Sequence, residues 1–344
     1  MVHYAVKRKA NLIKIALLVF ILVLFAIFAI TQGSVKIPVS DVVNIVVGKE
    51  PSEMVKPSHV FIVKQVRLPR IILSALVGGI LSVIGTVFQA VFKNPMADPY
   101  VMGVSSGAAF GATMGILFGI GVSAFGLSVV SFMAFIGALS TMIMVYHLAR
   151  VGGKVSTTGI LLAGIVINAL LSSSISFLML LNHNKIDQIV TWTMGSFNAA
   201  SWEHVTLIVI PMVFGVGYML SISRELNAMI VGEEDAQNMG VNVAQIKKMA
   251  LMVASLLAAI SVAVSGIIGF VGLIVPHFLR MIFGSDHRIL LPVSFLGGAI
   301  FMMFCDTIAR SLLANMEIPV GIITSIIGGP FFLILLQKHK KKFV

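Results

Sequence analysis

Residues 69–92 read PRIILSALVGGILSVIGTVFQAVF, and after Arg70 no charged residue interrupts the run. A helix rises 1.5 Å per residue, so about 20 apolar residues cross the hydrocarbon layer of a bilayer. This stretch is long enough to do so. Its Gly78-Gly79 pair is of a kind membrane helices tolerate more readily than soluble ones.

The pattern recurs along the chain. Further candidate spans lie at 12–31, 100–120, 125–148, 157–181, 203–222, 247–267, 273–284, 290–310 and 319–337. The eighth in chain order, 273–284, is too short to span unaided and is expected to tilt or to lie partly in the interface. Composition agrees: 58% of the 344 residues are hydrophobic and 11% are charged, whereas soluble domains average roughly 25% charged. A soluble globule has too little interior for so much apolar surface. The expected fold is all-α: one polytopic transmembrane domain over residues 1–344, with about ten helices.

Residues 12–30 follow Lys7, Arg8 and Lys9 and could pass for a signal peptide. The run is too long for a typical signal core, and no small-residue cleavage motif follows. We read it as a retained signal-anchor helix. The formal charge of +11 is not gathered into a patch. Lys and Arg punctuate the apolar runs instead, which points to a lipid bilayer and not to nucleic acid. The single cysteine, Cys305, excludes an intrachain disulfide and a multi-cysteine metal site.

Orientation follows from basic residues, which favour cytoplasmic loops. With an inner N-terminus, the inner segments hold Lys7, Arg8, Lys9, Lys14, Lys93, Arg150, Lys154, Arg224, Lys247, Lys248, Arg280, Arg288 and the lysines of the 338–342 tail. The outer segments hold fewer, and Lys36, Lys49, Lys56 and Lys64 share one loop. Both termini are expected in the cytoplasm. Two connections are long: an outer one at 32–66, with Pro38, Pro51 and Pro57, and an inner one at 223–246, which reads as short surface helices. Long ordered loops are often functional.

The third span carries Gly103, Gly107, Gly111, Gly115 and Gly119. This period-four stripe either lets helix backbones approach closely or forms a flexing face beside a pathway. Gly266, Gly269 and Gly272, and later Gly328, Gly329 and Pro330, are expected to interrupt or loosen the last four spans.

Catalytic signatures fail. Gly152-Gly153-Lys154 approaches a phosphate loop, but Leu148 stands where its first glycine belongs and Val155 where Ser or Thr must reach Mg²⁺. Neither a zinc-ligand spacing nor a nucleophile elbow occurs. His277 reads as a hydrogen-bonded structural residue or as a ligand or proton carrier. Asp306 and Arg310, four apart, can pair along one helix face. Trp192 and Trp202 read as interfacial anchors. Ion-coupled carriers need acidic or polar ion sites within their helices; spans two to seven are almost free of interior acids. Energy is therefore expected from outside the chain, with an ion-coupled secondary transporter as the alternative.

Several stretches, in order, resemble one family: Arg67-Leu68-Pro69-Arg70, Gly85 to Ala90, Asn94 to Ala108, Leu161 to Gly164, Gly195-Ser196 with Trp202, Gly240-Val241-Asn242, Gly269 to His277, Asp306 to Arg310, and Glu317 to Gly321. They look like the permeases of iron-chelate (siderophore), haem and vitamin B12 ABC importers. The resemblance implies a subunit that pairs with a second copy of itself or a paralogous permease, with helices 2–5 and 7–10 related as inverted repeats. Two ATPase subunits dock beneath, and an extracytoplasmic substrate-binding protein delivers cargo. It implies no catalytic residue and no cofactor here, since ATP and Mg²⁺ sit on the partner ATPase.

By the same resemblance, Gly232, Glu233, Glu234, Asp235, Ala236, Gln237, Asn238, Met239 and Gly240 couple to that ATPase. Ser156, Thr157, Leu161, Gly164 and Asn168 gate and line the path, with helix ten beside them. Arg67, Arg70 and Arg310 receive the binding protein; contact with lipid headgroups or an intrachain pair with Asp306 or Glu317 is the alternative reading of these arginines. The implied location is a bacterial or archaeal cytoplasmic membrane, and the expected cargo is a ferric siderophore, with haem or cobalamin as alternatives.

Overall fold

The computed structural model describes residues 2–33, 35, 37–47, 56–119, 128–151, 154–313 and 316–340. Among these, seven helices are long and apolar enough to cross a membrane, and three shorter apolar helices bring the set to ten. They are α1 (Val2–Thr31), α2 (Leu68–Val91), α3 (Val104–Phe118), α4 (Val129–Leu148), α5 (Thr157–Leu181), α6 (Trp202–Ser221), α7 (Val243–Ser265), α8 (Val271–Phe283), α9 (His287–Ser311) and α10 (Val320–Lys340). Among the described residues, the only strands are a two-residue antiparallel pair, Arg150–Val151 with Lys154–Val155, between α4 and α5.

Helix ends differ from the sequence expectation where local chemistry intervenes. The third span begins at Val104, not near residue 100, because Asp98 caps a short 3-10 turn at Pro99–Met102 and Gly103 then turns left-handed at φ 74°. The seventh begins earlier, at Val243, because the Asn242 side chain accepts the Gln245 N–H at 3.1 Å. The described parts of the 32–66 connection are largely helical. It holds a helix at Val39–Val47, and Pro57–Phe61 runs through a π turn, Ile62–Arg67, into α2. Residues 48–55 lie outside the described set, as do Lys36, Lys341 and Lys342.

The two sets α2–α5 and α7–α10 share a peculiarity that fits the inverted repeat. In each, the second helix is short, 15 residues in α3 and 13 in α8. Each short helix starts from a left-handed cap, Gly103 at φ 74° and Phe270 at φ 70°. The chain therefore reaches both helices through irregular backbone, tolerated where protein covers it. The Tyr100 hydroxyl donates to Ile268 O at 2.9 Å, tying one irregular segment to the other. Phe270 holds a conformation that non-glycine residues adopt rarely and at a cost on the order of 1 kcal/mol or more. Its ring sits where a side chain on Gly328 of α10 would be, 2.5 Å from that missing Cβ.

Helix α2 is the buried centre of the bundle. Lipid tails are as apolar as leucine, so burial in a bilayer gives little hydrophobic drive, and close contact must do the packing. Small residues provide it. A Cβ on Gly78 would lie 2.3 Å from Gly298 O of α9, and one on Gly85 would lie 2.0 Å from Gly272 O of α8. The α3 stripe is likewise a packing face: a Cβ on Gly111 would meet Met133 O at 2.1 Å, and one on Gly107 would meet Thr141 Oγ1 at 2.2 Å, both on α4. Gly119, beyond the helix, faces open space.

Candidate translocation path and its two ends

Helix α5 is the least enclosed of the interior spans; only α1, at the N-terminus, is less buried. Ser156 caps it, its Oγ accepting the Gly159 N–H at 3.3 Å. Of the expected path residues, Ser156 and Asn168 are exposed, Leu161 is half-buried and Gly164 is buried; Thr157 opens the helix. Asn168 begins a stripe: Ser172 and Ser176 follow at four-residue steps and are also exposed. The Ser172 hydroxyl approaches Asn168 Oδ1 at 3.5 Å, and Ser176 donates to Ser172 O at 3.0 Å. Sequence reading missed the two serines, although the i, i+4, i+8 spacing after Asn168 was there to find. Around the stripe lie exposed apolar residues, Ile165, Leu170 and Phe177. Exposed polar side chains at membrane depth belong against water or another protein surface, not lipid.

At the end of the bundle expected to face inward, the 223–246 connection forms two short helices, Ser223–Val231 and Glu233–Asn238. Gly232 caps the second, and Ala236 N–H bonds to its carbonyl at 3.0 Å. The pair is anchored by a small core of Met229, Ala236 and Val243 and by Lys247, whose ammonium donates to Glu233 Oε1 at 2.6 Å. Glu234, Asp235, Gln237, Asn238, Met239 and Gly240 point outward. Gly240 closes the unit at φ 86° with open space around it. Two large apolar side chains, Val231 at 75% exposed and Met239 at 62%, flank the acidic helix.

At the other end, Arg67, Arg70 and Arg310, expected to receive a binding protein or to pair with Asp306 or Glu317 within the chain, are only 4, 6 and 5% exposed. Arg70 grips Asp306 through Nε at 3.0 Å and Nη2 at 2.9 Å, and reaches Glu317 through Nη1 at 2.8 Å. Arg310 lies 3.7 Å from the same Asp306 and donates to Ala29 O. Arg67 donates to the carbonyls of Ile30 and Val35. A charge at this depth needs counter-charge and hydrogen bonds, and the arginine fork meets a carboxylate with two bonds at once. The cluster thus ties α1, α2, α9 and the Glu317 segment together and presents no set of free guanidinium groups. Close by, Trp202 Nε1 donates to Lys64 O at 3.0 Å. His277 packs edge-on against Phe331 of α10, with ring centroids 6.4 Å apart.

This bundle, with two unequal ends and a polar stripe on one under-packed helix, matches a known family over residues 20–338, that of the FecCD transport family. The chain belongs to the FecCD transport family. Within this family of membrane permease subunits, the chain is similar to the cobalamin import system permease protein BtuC of Halobacterium salinarum, at 44% identity over 81% of this chain and 74% of the relative. It is also similar to the hemin transport system permease protein HmuU of Yersinia pestis, at 40% identity over 80% of this chain and 83% of the relative. A solved structure described as an inward-facing conformation of a metal-chelate type ABC transporter superposes with a TM-score of 0.82 at 33% identity. That match covers 94% of this chain and 98% of the other. The protein is a multi-pass membrane permease subunit of the ABC-importer kind.

Proposed function

We propose that this chain forms one half of a two-subunit permease that carries a bulky metal chelate inward across a bacterial or archaeal cytoplasmic membrane. A ferric siderophore is the first choice of cargo, and hydrolysis of ATP on separate subunits supplies the energy. The stripe Asn168, Ser172, Ser176 on α5 carries the reading. A second copy placed against this face leaves a path of hydroxyls and one amide between apolar walls, with exposed Ser325 and Ile326 of α10 as further wall residues. Such walls hold a chelate weakly, which suits passage; tight affinity belongs on an extracytoplasmic binding protein. Residues 232–240, acidic and flanked by Val231 and Met239, form the inner surface for the ATPase. Both termini are placed in the cytoplasm.

Helix α5 carries no ionisable side chain, and Asp306 is committed to Arg70, which disfavours ion coupling. The test is uptake into liposomes by the permease with its ATPase and binding protein, offered a ferric hydroxamate siderophore, haemin or cyanocobalamin. ATP-dependent uptake of the siderophore, insensitive to a proton ionophore, is the expected result. Uptake driven by an ion gradient without ATP overturns the reading. Preference for haemin or cyanocobalamin overturns the siderophore choice alone.

A further inference from the structure

Asn227 lies on the helix Ser223–Val231, ahead of the acidic unit. Its side chain reaches the turn that joins α8 to α9. Nδ2 donates to Asp286 Oδ1 at 2.8 Å. Oδ1 accepts the His287 backbone N–H at 2.9 Å and lies 2.8 Å from His287 Nδ1. The amide therefore offers its donor to a carboxylate and its acceptor to N–H groups, on two consecutive residues. Flipping it would set donor against donor and oxygen against carboxylate, so it holds one orientation. Asp286 is itself fixed, capping α9 through the Arg288 N–H at 3.1 Å and pairing with the Arg288 guanidinium at 2.6 Å. The His287 side chain is fully buried.

The same turn is tied into the bundle on its other side. Arg280, near the end of α8, donates to Gln89 Oε1 at 2.8 Å, and Gln89 donates to Gly272 O at 3.2 Å. Gln89 stands in the last turn of α2, the buried centre. Lys14 of α1 donates to Ile282 O at 3.3 Å. Hydrogen bonds thus lead from the loop, through Asn227, to the α8–α9 turn; the Gly284 N–H bond to Arg280 O at 2.9 Å joins that turn to the end of α8, and Arg280 leads on to α2. Apolar contacts can slide; an amide bonded on both edges makes the turn follow the loop helix.

We infer that Asn227 is a positioning residue for transport: it couples movement of the 223–238 helical unit to the α8–α9 turn and, through Arg280 and Gln89, to the inner end of α2. The inference rests on the proposed ATPase contact at 232–240. It is tested in liposomes with the complete transporter, using whichever of the ferric hydroxamate, haemin or cyanocobalamin the wild-type complex moves. The readout is cargo moved per ATP hydrolysed, a ratio that a mere drop in folded protein does not change. Asn227→Ala removes the bridge and lowers the ratio by about fivefold or more, within the usual range of coupling between sites. Asn227→Asp sets carboxylate against carboxylate and lowers it too. An unchanged ratio in both single variants overturns the inference. A wild-type complex without ATP-driven uptake overturns the proposed function instead.

Discussion

Asp306 is fully buried and serves two arginines, with the bidentate grip given to Arg70. Removing one partner of a buried ion pair leaves the other charge uncompensated, which typically costs about 3–5 kcal/mol. Asp306→Asn is therefore expected to lower the thermal stability of the purified permease sharply, while Glu317→Gln, at the exposed edge of the cluster, has a small effect. Equal melting temperatures for the two variants would show that the cluster is not structural. At the opposite end, the Arg288 hydrogen bonds, aided by Asn227, hold the Asp286 carboxyl down to about 2 from its ordinary 3.8. A carboxylate depressed in the folded state stabilises above its unfolded value and loses that contribution as pH falls through the folded one. The stability gap between wild type and Asp286→Asn should thus hold across the neutral range and close only between about 4 and about 2. A gap that narrows already near neutrality contradicts this.

Among elements, the α3–α4 and α2–α8 crossings depend on glycine in a way that makes alanine a sufficient probe. Overpacking costs typically about 1–3 kcal/mol, and here the obstacle is backbone. Gly111→Ala and Gly85→Ala, facing Met133 O and Gly272 O, should each lower the melting temperature in detergent, whereas Gly217→Ala on α6, with nothing near its missing Cβ, should not. Three equal shifts would show that the crossings can relax. The helices themselves were legible because an apolar run of spanning length has few alternative readings. The shortness of α8 was legible for the same reason. What joins them was less so. The stripe on α3 announced a tight crossing but not its partner, and Gly78 with Gly298 announced nothing, being 220 positions apart in the chain. The pairing of Arg70 with Asp306 and Glu317 was open in the sequence as the alternative to docking, and the fold brings the three together from distant parts of the chain. Ser172 and Ser176 were legible in spacing, yet only the exposure of α5 distinguishes a lining from a packed face.

For the whole molecule, the proposed function poses the question of how work done by an ATPase at the 223–246 connection would reach the proposed path. The acidic helix Glu233–Asn238 projects beyond α7, held by Ala236 in a core of few residues and by the Lys247–Glu233 pair. The mounting is separate from the main core around α2. Val231 and Met239 place apolar surface beside its carboxylates, and burying each against a partner contributes about 1.5–3 kcal/mol. Val231→Asp with Met239→Asp is accordingly expected to weaken association with the ATPase by at least about tenfold while the permease stays inserted with an unchanged melting temperature. Deleting 232–240 is expected to abolish ATP-driven uptake altogether. Gly240→Val, forced into a left-handed conformation that a branched side chain resists, should fall between the two. The decisive measurement is the affinity between purified permease and ATPase, taken alongside uptake in the same liposomes. Wild-type affinity in the double aspartate variant would remove this surface from the contact, and full uptake by the deletion would remove it from the mechanism.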